Sequence, residues 1–199
     1  MKPGVANKVH CHFKTGFQER LNAIIDPQNQ MGVMEKARLL VRNSSLSVST
    51  MSGLVSPSTN QDPTVRTVIA VINESDLAFE EIVDYTCNLH PSWQLKDPSR
   101  PLQKPDYLPG GKTGQLRSWV IPFIRIHFYY YSNKSLCNML GISDMTYYTG
   151  LRAVPVIQFI IMILELLRRF GMDVNFEDIV VTEDSRPVAA SAPLLRKAS

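Results

Sequence analysis

Cysteine is scarce in this chain of 199 residues: Cys11, Cys87 and Cys137 are the whole complement. An odd, widely spaced set argues against a disulfide framework and fits free thiols in a reducing compartment. Compact catalytic signatures are missing as well. The chain contains no Cys-x-x-Cys, no His-Glu-x-x-His and no Gly-x-Ser-x-Gly, so no residue is nominated as catalytic. Long hydrophobic runs are absent too. The most apolar stretch, Val154 to Leu167, is interrupted by Gln158 and Glu165 and falls short of the ~20 residues that span a bilayer. No apolar run of signal length follows the first lysines, so no secretory signal is expected within Met1 to Val9. Nor does one sign of charge dominate. Lys and Arg number 21 against 18 Asp and Glu, a net +3 that does not by itself mark a dedicated nucleic-acid protein.

What is present suits one compact domain. Hydrophobic residues make up 44% and charged residues 20%, and a chain of this size buries enough surface to hold a core without metals or disulfides. The charge is unevenly laid out. The first 42 residues carry seven Lys and Arg, among them Lys2, Lys8, Lys14 and Arg20, against three acidic residues. Glu74, Asp76, Glu80, Glu81 and Asp84 form an acidic block with no basic residue between them. Such polarity allows head-to-tail attraction between copies, with Glu80, Glu81 and Asp84 as the candidate self-association face.

Patterning along the chain predicts a half-buried strand from Val9 to Phe17, where Val9, Cys11 and Phe13 alternate with His10, His12 and Lys14. A short amphipathic helix is expected over Gly32 to Val41, a weak strand over Ser45 to Val55, and an internal strand over the β-branched run Thr64 to Ile72. Ala78, Ile82, Tyr85 and Leu89 repeat at helical spacing and predict a helix from Ser75 to Leu89. Pro91, Pro98, Pro101, Pro105 and Pro109 with Gly110 and Gly111 then exclude a long regular element. This loop is basic, with Lys96, Arg100, Lys104 and Lys112 as candidate contacts to membrane or nucleocapsid alongside Lys2, Lys8, Lys14 and Arg20.

Arg117 to Tyr131, rich in Val, Ile, Phe and Tyr, reads as a strand in which Pro122 marks a bulge or an edge. Pro155 to Phe170 reads as the buried helix, ended by Gly171, and Asp173 to Val181 as a closing strand. The expected fold is therefore α+β, a single domain with a mainly antiparallel sheet packed on a long hydrophobic C-terminal helix. A flexible N-terminus (1–7) and a flexible tail (182–199) would flank a domain over 8–181.

Two chemical possibilities fail on spacing. Gly111-Lys112-Thr113 copies the end of a phosphate-binding loop, but Asp106 stands where its first glycine belongs. His10, His12, Cys87 and His90 lack the two close ligand pairs of a zinc site, so neither metal nor cofactor is expected. The run Phe128 to Tyr131 could stack nucleic-acid bases, but inward and outward alternation within a sheet is the role expected of it.

The order of elements resembles the matrix proteins of rhabdoviruses, especially the short plant-virus members. The features that carry it are the strand at Val9 to Phe17, the helix near Gly32 to Val41, the strand at Thr64 to Ile72, the Pro-rich loop, the hydrophobic Trp119 to Tyr131, and the late helix closing on Leu167-Arg168-Arg169-Phe170-Gly171-Met172-Asp173-Val174. The chain departs from the better-known members in lacking a lysine-dense N-terminal tail, Pro-Pro-x-Tyr and Pro-Thr/Ser-Ala-Pro, so recruitment of membrane scission is not implied. What the resemblance implies is a non-enzymatic viral structural protein that self-associates and bridges the nucleocapsid to an anionic membrane surface. It would be found in the virion, the host cytoplasm and the inner membrane surface. The competing expectation, carried by the basic loop and the aromatic run, is a viral nucleic-acid-binding accessory or movement protein with RNA as its partner.

Overall fold

The structure, a computed structural model, describes residues 9–42, 46–56, 62–150, 154–183 and 188–189. Residues 1–7 and most of the proposed tail, 190–199 included, therefore lie outside the described residues. The chain begins in the expected strand, which stops at Phe13 and not at Phe17, because Gly16 at φ +76° turns the backbone into a helix that starts at Phe17. Strand β1 (Val9–Phe13) turns Val9, Cys11 and Phe13 inward and leaves His10 and His12 exposed. Helix α1 (Phe17–Ile25) follows, then α2 (Val33–Val41), which occupies the segment where a short amphipathic helix was expected.

The expected α+β fold does not form. Among the described residues ten helices dominate, and the β-structure is confined to two two-stranded antiparallel ribbons. Ser45 to Val55, expected as a strand, is helix α3 (Val48–Val55), started by Ser47, whose hydroxyl accepts a hydrogen bond from the Thr50 N–H at 3.1 Å. The β-branched run is helix α4 (Val65–Ser75). Thr64 and Thr67 cap it reciprocally, each side chain accepting from the other's backbone N–H at 3.2 and 2.9 Å. Its two apolar faces, misleading as a strand signal, suit a helix buried nearly all round: Val65, Val68, Ile69, Ala70 and Val71 are all in the core.

Asp76, in the left-handed region at φ 53°, ends α4 and breaks the helix expected over Ser75 to Leu89. A single helical turn, α5 (Phe79–Ile82), leads instead into strand β2 (Val83–Cys87). That strand pairs antiparallel with β1, from Val9 opposite Cys87 to Phe13 opposite Val83. Pairing supplied from seventy residues away outweighs the local helical spacing of Ala78, Ile82 and Tyr85.

The Pro-rich segment is irregular as expected, except for the two-residue strand β3 (Tyr107–Leu108). Trp119 to Tyr131 is not a strand: helix α6 (Val120–His127) occupies it. Pro122 lies in the first turn of α6, where a missing backbone N–H costs no hydrogen bond, and marks neither a bulge nor an edge. Helices α7 (Asn133–Met139) and α8 (Asp144–Gly150) follow, the first capped by Ser132 and Ser135.

Helix α9 (Ile157–Arg169) stands where the late helix was expected, and Gly171 at φ +83° closes it. It is not the long platform of a sheet, however. Its 13 residues extend roughly 20 Å, and the ribbon of β1 and β2 packs on it together with helix α10 (Phe176–Ile179). The latter replaces the closing strand because Asn175 and Asp178 form a capping box. Only Val180 and Val181 keep an extended path, beside Gln115 and Leu116. Here Gly114, at φ +85°, lets the backbone pass Val154, whose methyl would lie 2.9 Å from an added Cβ. Within the expected tail, Val188–Ala189 forms strand β4, paired with β3.

The core is continuous around α9, where Phe159 through Leu164 are all buried. Phe79 and Phe176 stack at 4.8 Å, and Phe128 meets Trp93 and Phe170 edge to face at 5.4 and 5.0 Å. Among the described residues no helix is long and apolar enough to cross a membrane.

Candidate functional site

The acidic residues expected to meet another copy are engaged within the chain. Glu81 accepts from the Arg20 guanidinium at 2.7 Å and caps α5 through the Ala78 N–H at 3.0 Å. Glu80 pairs with Arg168 on α9, and its backbone carbonyl accepts from Lys14 Nζ at 3.2 Å. Asp84 faces His12 across the ribbon at 3.8 Å. Two members of the N-terminal basic cluster, Lys14 and Arg20, thus lie against Glu80 and Glu81, while Lys2 and Lys8 lie outside the described residues. Such exposed pairs are each worth about 0–1 kcal/mol.

Arg168 also donates to the Val174 carbonyl at 2.9 Å and to the Tyr85 hydroxyl at 3.3 Å, and that hydroxyl donates to Glu165 at 2.7 Å. Burial, then the Glu165 carboxylate, raises the Tyr85 hydroxyl well above its ordinary range. The network fastens β2 to α9.

Lys104, from the basic loop, reaches Asp178 on α10 at 2.9 Å, and that carboxylate is almost wholly buried at 2% exposure. Arg117 beside it donates to the carbonyls of Glu177 and Pro109 at 2.9 and 2.8 Å. Burial lowers the Arg117 pKa and raises that of Glu177. These contacts pin the loop to α10. Lys112 is exposed, but the adjoining Gly114 N–H donates to the Val181 carbonyl at 2.7 Å and is not presented to a phosphate.

Lys96 and Arg100 are different: among the described residues neither makes an ion pair. The segment that carries them is held by the end of α6. Trp93 is buried and donates to the Met139 carbonyl at 3.2 Å, and Leu95 bridges to Phe128. Tyr129 N–H donates to Gln94 at 3.0 Å and Lys96 N–H to His127 at 2.8 Å. The Lys96 ammonium reaches the Arg125 carbonyl at 2.7 Å and lies 5.6 Å from the centre of the Tyr130 ring. Burial holds the His127 imidazole below its ordinary value, and the nearby charges of Arg100 and Lys96 push in the same direction. Asp97, the adjacent acid, is occupied by the N–H and hydroxyl of Ser99 at 3.1 and 2.6 Å.

The aromatic run emerges on this same face. Phe128 is fully buried, while Tyr129 is 55% exposed and Tyr131 entirely so. Tyr131 N–H donates to Ser135 at 2.9 Å, which fixes the entry to α7. Arg125, which sequence reading passed over inside a supposed strand, supports the face from below: it donates to Tyr147 and Asn133 at 2.8 and 3.2 Å. A helical reading of Val120–His127 would have found it, since Arg125 and His127 then share the last turn.

No comparable arrangement of reactive groups occurs elsewhere among the described residues. No cluster of three or more His, Cys, Asp or Glu could hold a metal ion there, and His10 and His12 face away from Cys87 on the ribbon. Two clefts, of about 540 and 470 Å³, flank the start of α9 and share Val156 and Gln158. All three cysteines are free. Burial, followed by the Glu165 charge, pushes the Cys87 thiol up to about 11, and burial followed by Asp144 does the same for Cys137. The folded state thus holds these protons more tightly than the unfolded chain. The thiols' contribution to stability is expected to be constant below their ordinary value of 9.0 and to fall as pH rises from there towards about 11. Urea titrations across that window check it, and Cys87→Ser with Cys137→Ser should flatten the decline. Alkylation near pH 7 should accordingly be slow until urea is added.

The fold defines a mostly helical protein, in which the basic Lys96 segment lies beside the aromatic run after α6. Comparison with protein-family models, with curated proteins and with solved structures finds no match for this chain.

Proposed function

We propose that this chain is a non-enzymatic RNA-binding protein and that it engages RNA through the face carrying Lys96, Arg100 and the tyrosines beyond α6. The observation that carries this reading is the contrast in how the basic residues are used. Arg20 and Lys104 are ion-paired within the chain, whereas Lys96 and Arg100, both near His127, make no ion pair among the described residues. Phosphates supply the missing negative charge. In the setting implied by the resemblance to matrix proteins, the RNA would be that of a viral ribonucleoprotein. Self-association through Glu80, Glu81 and Asp84 is no part of the proposal, because Glu80 and Glu81 are ion-paired within the chain.

Fluorescence anisotropy with labelled RNA over a salt series provides the test. Affinity should fall with salt, and Lys96→Glu with Arg100→Glu should weaken binding by about tenfold or more and reduce the slope of log affinity against log salt by about two. Arg38→Glu with Arg66→Glu, an equal change of charge at exposed positions on α2 and α4, should leave binding within about threefold. No binding at low salt, or equal losses in the two pairs, overturns the reading.

A further inference from the structure

Resting on that reading, we infer that the site takes unpaired rather than duplex RNA, with bases stacked on Tyr129 and Tyr131 while Lys96 and Arg100 hold the neighbouring phosphates. Several observations converge on it. Phe128 turns into the core and anchors the run, and Tyr129 and Tyr131 follow it with their rings exposed. Tyr131 is fully exposed and Tyr129 more than half exposed, yet both backbones are tied down, one to Gln94 and the other to Ser135. The rings are thus presented on a fixed support, which lowers the ordering cost of binding.

The intervening Tyr130 is half-buried and has the Lys96 ammonium 5.6 Å from the centre of its ring, so a cation stands beside the run.

The number of charges points the same way. A duplex hides its base faces and must be held through its phosphates, for which two cations are few. Stacking on an aromatic ring is worth roughly tenfold per base or more, whatever the base, so the tyrosines can supply what the charges do not.

The decisive experiment compares labelled oligouridine with a blunt RNA duplex of equal length, by anisotropy at low salt, on the full chain. Oligouridine should bind at least about tenfold more tightly. Tyr129→Ala with Tyr131→Ala should remove most of that advantage without altering the melting temperature, since both rings are exposed, and Tyr129→Phe with Tyr131→Phe should retain it because the ring faces remain. Equal affinity for the two RNAs, or indifference to the alanine pair, overturns the stacking inference while leaving RNA binding intact. Loss in the phenylalanine pair also overturns it, since hydroxyl bonds would then carry the contact. Failure to bind either RNA defeats the underlying reading as well, and binding to phosphatidylserine-containing vesicles in place of RNA would do the same.

Discussion

Asp178→Ala is expected to destabilise the protein by about 3 kcal/mol, among the largest losses from any polar side chain here. Asp178 is 2% exposed, and its carboxylate accepts from Lys104 Nζ at 2.9 Å and from the Asn175 N–H at 3.0 Å. Alanine removes both acceptors together. It leaves an ammonium facing a site shaped for a carboxylate, and it deprives α10 of half its capping box. Lys104 keeps some access to water, with 24% of its side chain exposed, which holds the loss towards the lower end of the 3–5 kcal/mol typical of a broken buried pair. Removing both charges separates the two contributions. Lys104→Met with Asp178→Asn should recover part of the loss, because no unpaired charge remains. Urea unfolding that follows the midpoint at constant slope reads both values, and a loss below about 1 kcal/mol for Asp178→Ala would mean that the pair contributes no more than an exposed one.

Phe128→Ala is expected to cost a further and independent 3–5 kcal/mol, roughly the range for deleting a buried phenyl ring. Phe128 is fully buried, touches Trp93 and Phe170 edge to face, and supports the bridge from Leu95. Its loss reaches the proposed site as well. The bonds from Tyr129 to Gln94 and from Lys96 to His127 hold only while these two segments stay together, so RNA affinity should drop although neither Lys96 nor Tyr131 has changed. Phe128→Leu, which keeps most of the volume, should cost under about 1.5 kcal/mol and largely preserve binding. Thermal unfolding and anisotropy on the same preparations check the coupling. Undiminished RNA affinity in folded Phe128→Ala would separate the face from the core beneath it.

The elements legible in advance share one property: local residues sufficed to define them. Helix α9 has a stripe of apolar residues too long for an ordinary strand, bounded by Pro155 and Gly171, and it formed within two residues of its expected ends. Strand β1 alternates without ambiguity. By contrast, the runs that became α4 and α6 are apolar on every side, and period alone does not separate a buried strand from a buried helix. Thr64 with Thr67 and Asn175 with Asp178 stand at capping spacing, a local signal that the strand expectation for both segments did not use. The same misassignment concealed the site, because Tyr129 and Tyr131 were placed in a sheet where alternation alone accounted for them.

Charge was legible only as an inventory. That the chain is basic at its start, acidic around Glu80 and basic again around Lys104 could be counted, whereas whether those charges meet in one molecule or between two depended on contacts 61 and 74 residues apart along the chain, Arg20 with Glu81 and Lys104 with Asp178. Composition and local pattern by themselves determined a compact core, free thiols, one amphipathic ribbon strand and the late buried helix, since each follows from neighbours within a few bonds. Only the tertiary structure decided that the β-branched segments coil into helices, that Glu80 and Glu81 pair with arginines of the same chain, and that Lys96 and Arg100 make no ion pair among the described residues. Those outcomes turn on which distant surfaces exclude water from one another, and burial between remote segments is not written in the spacing of either.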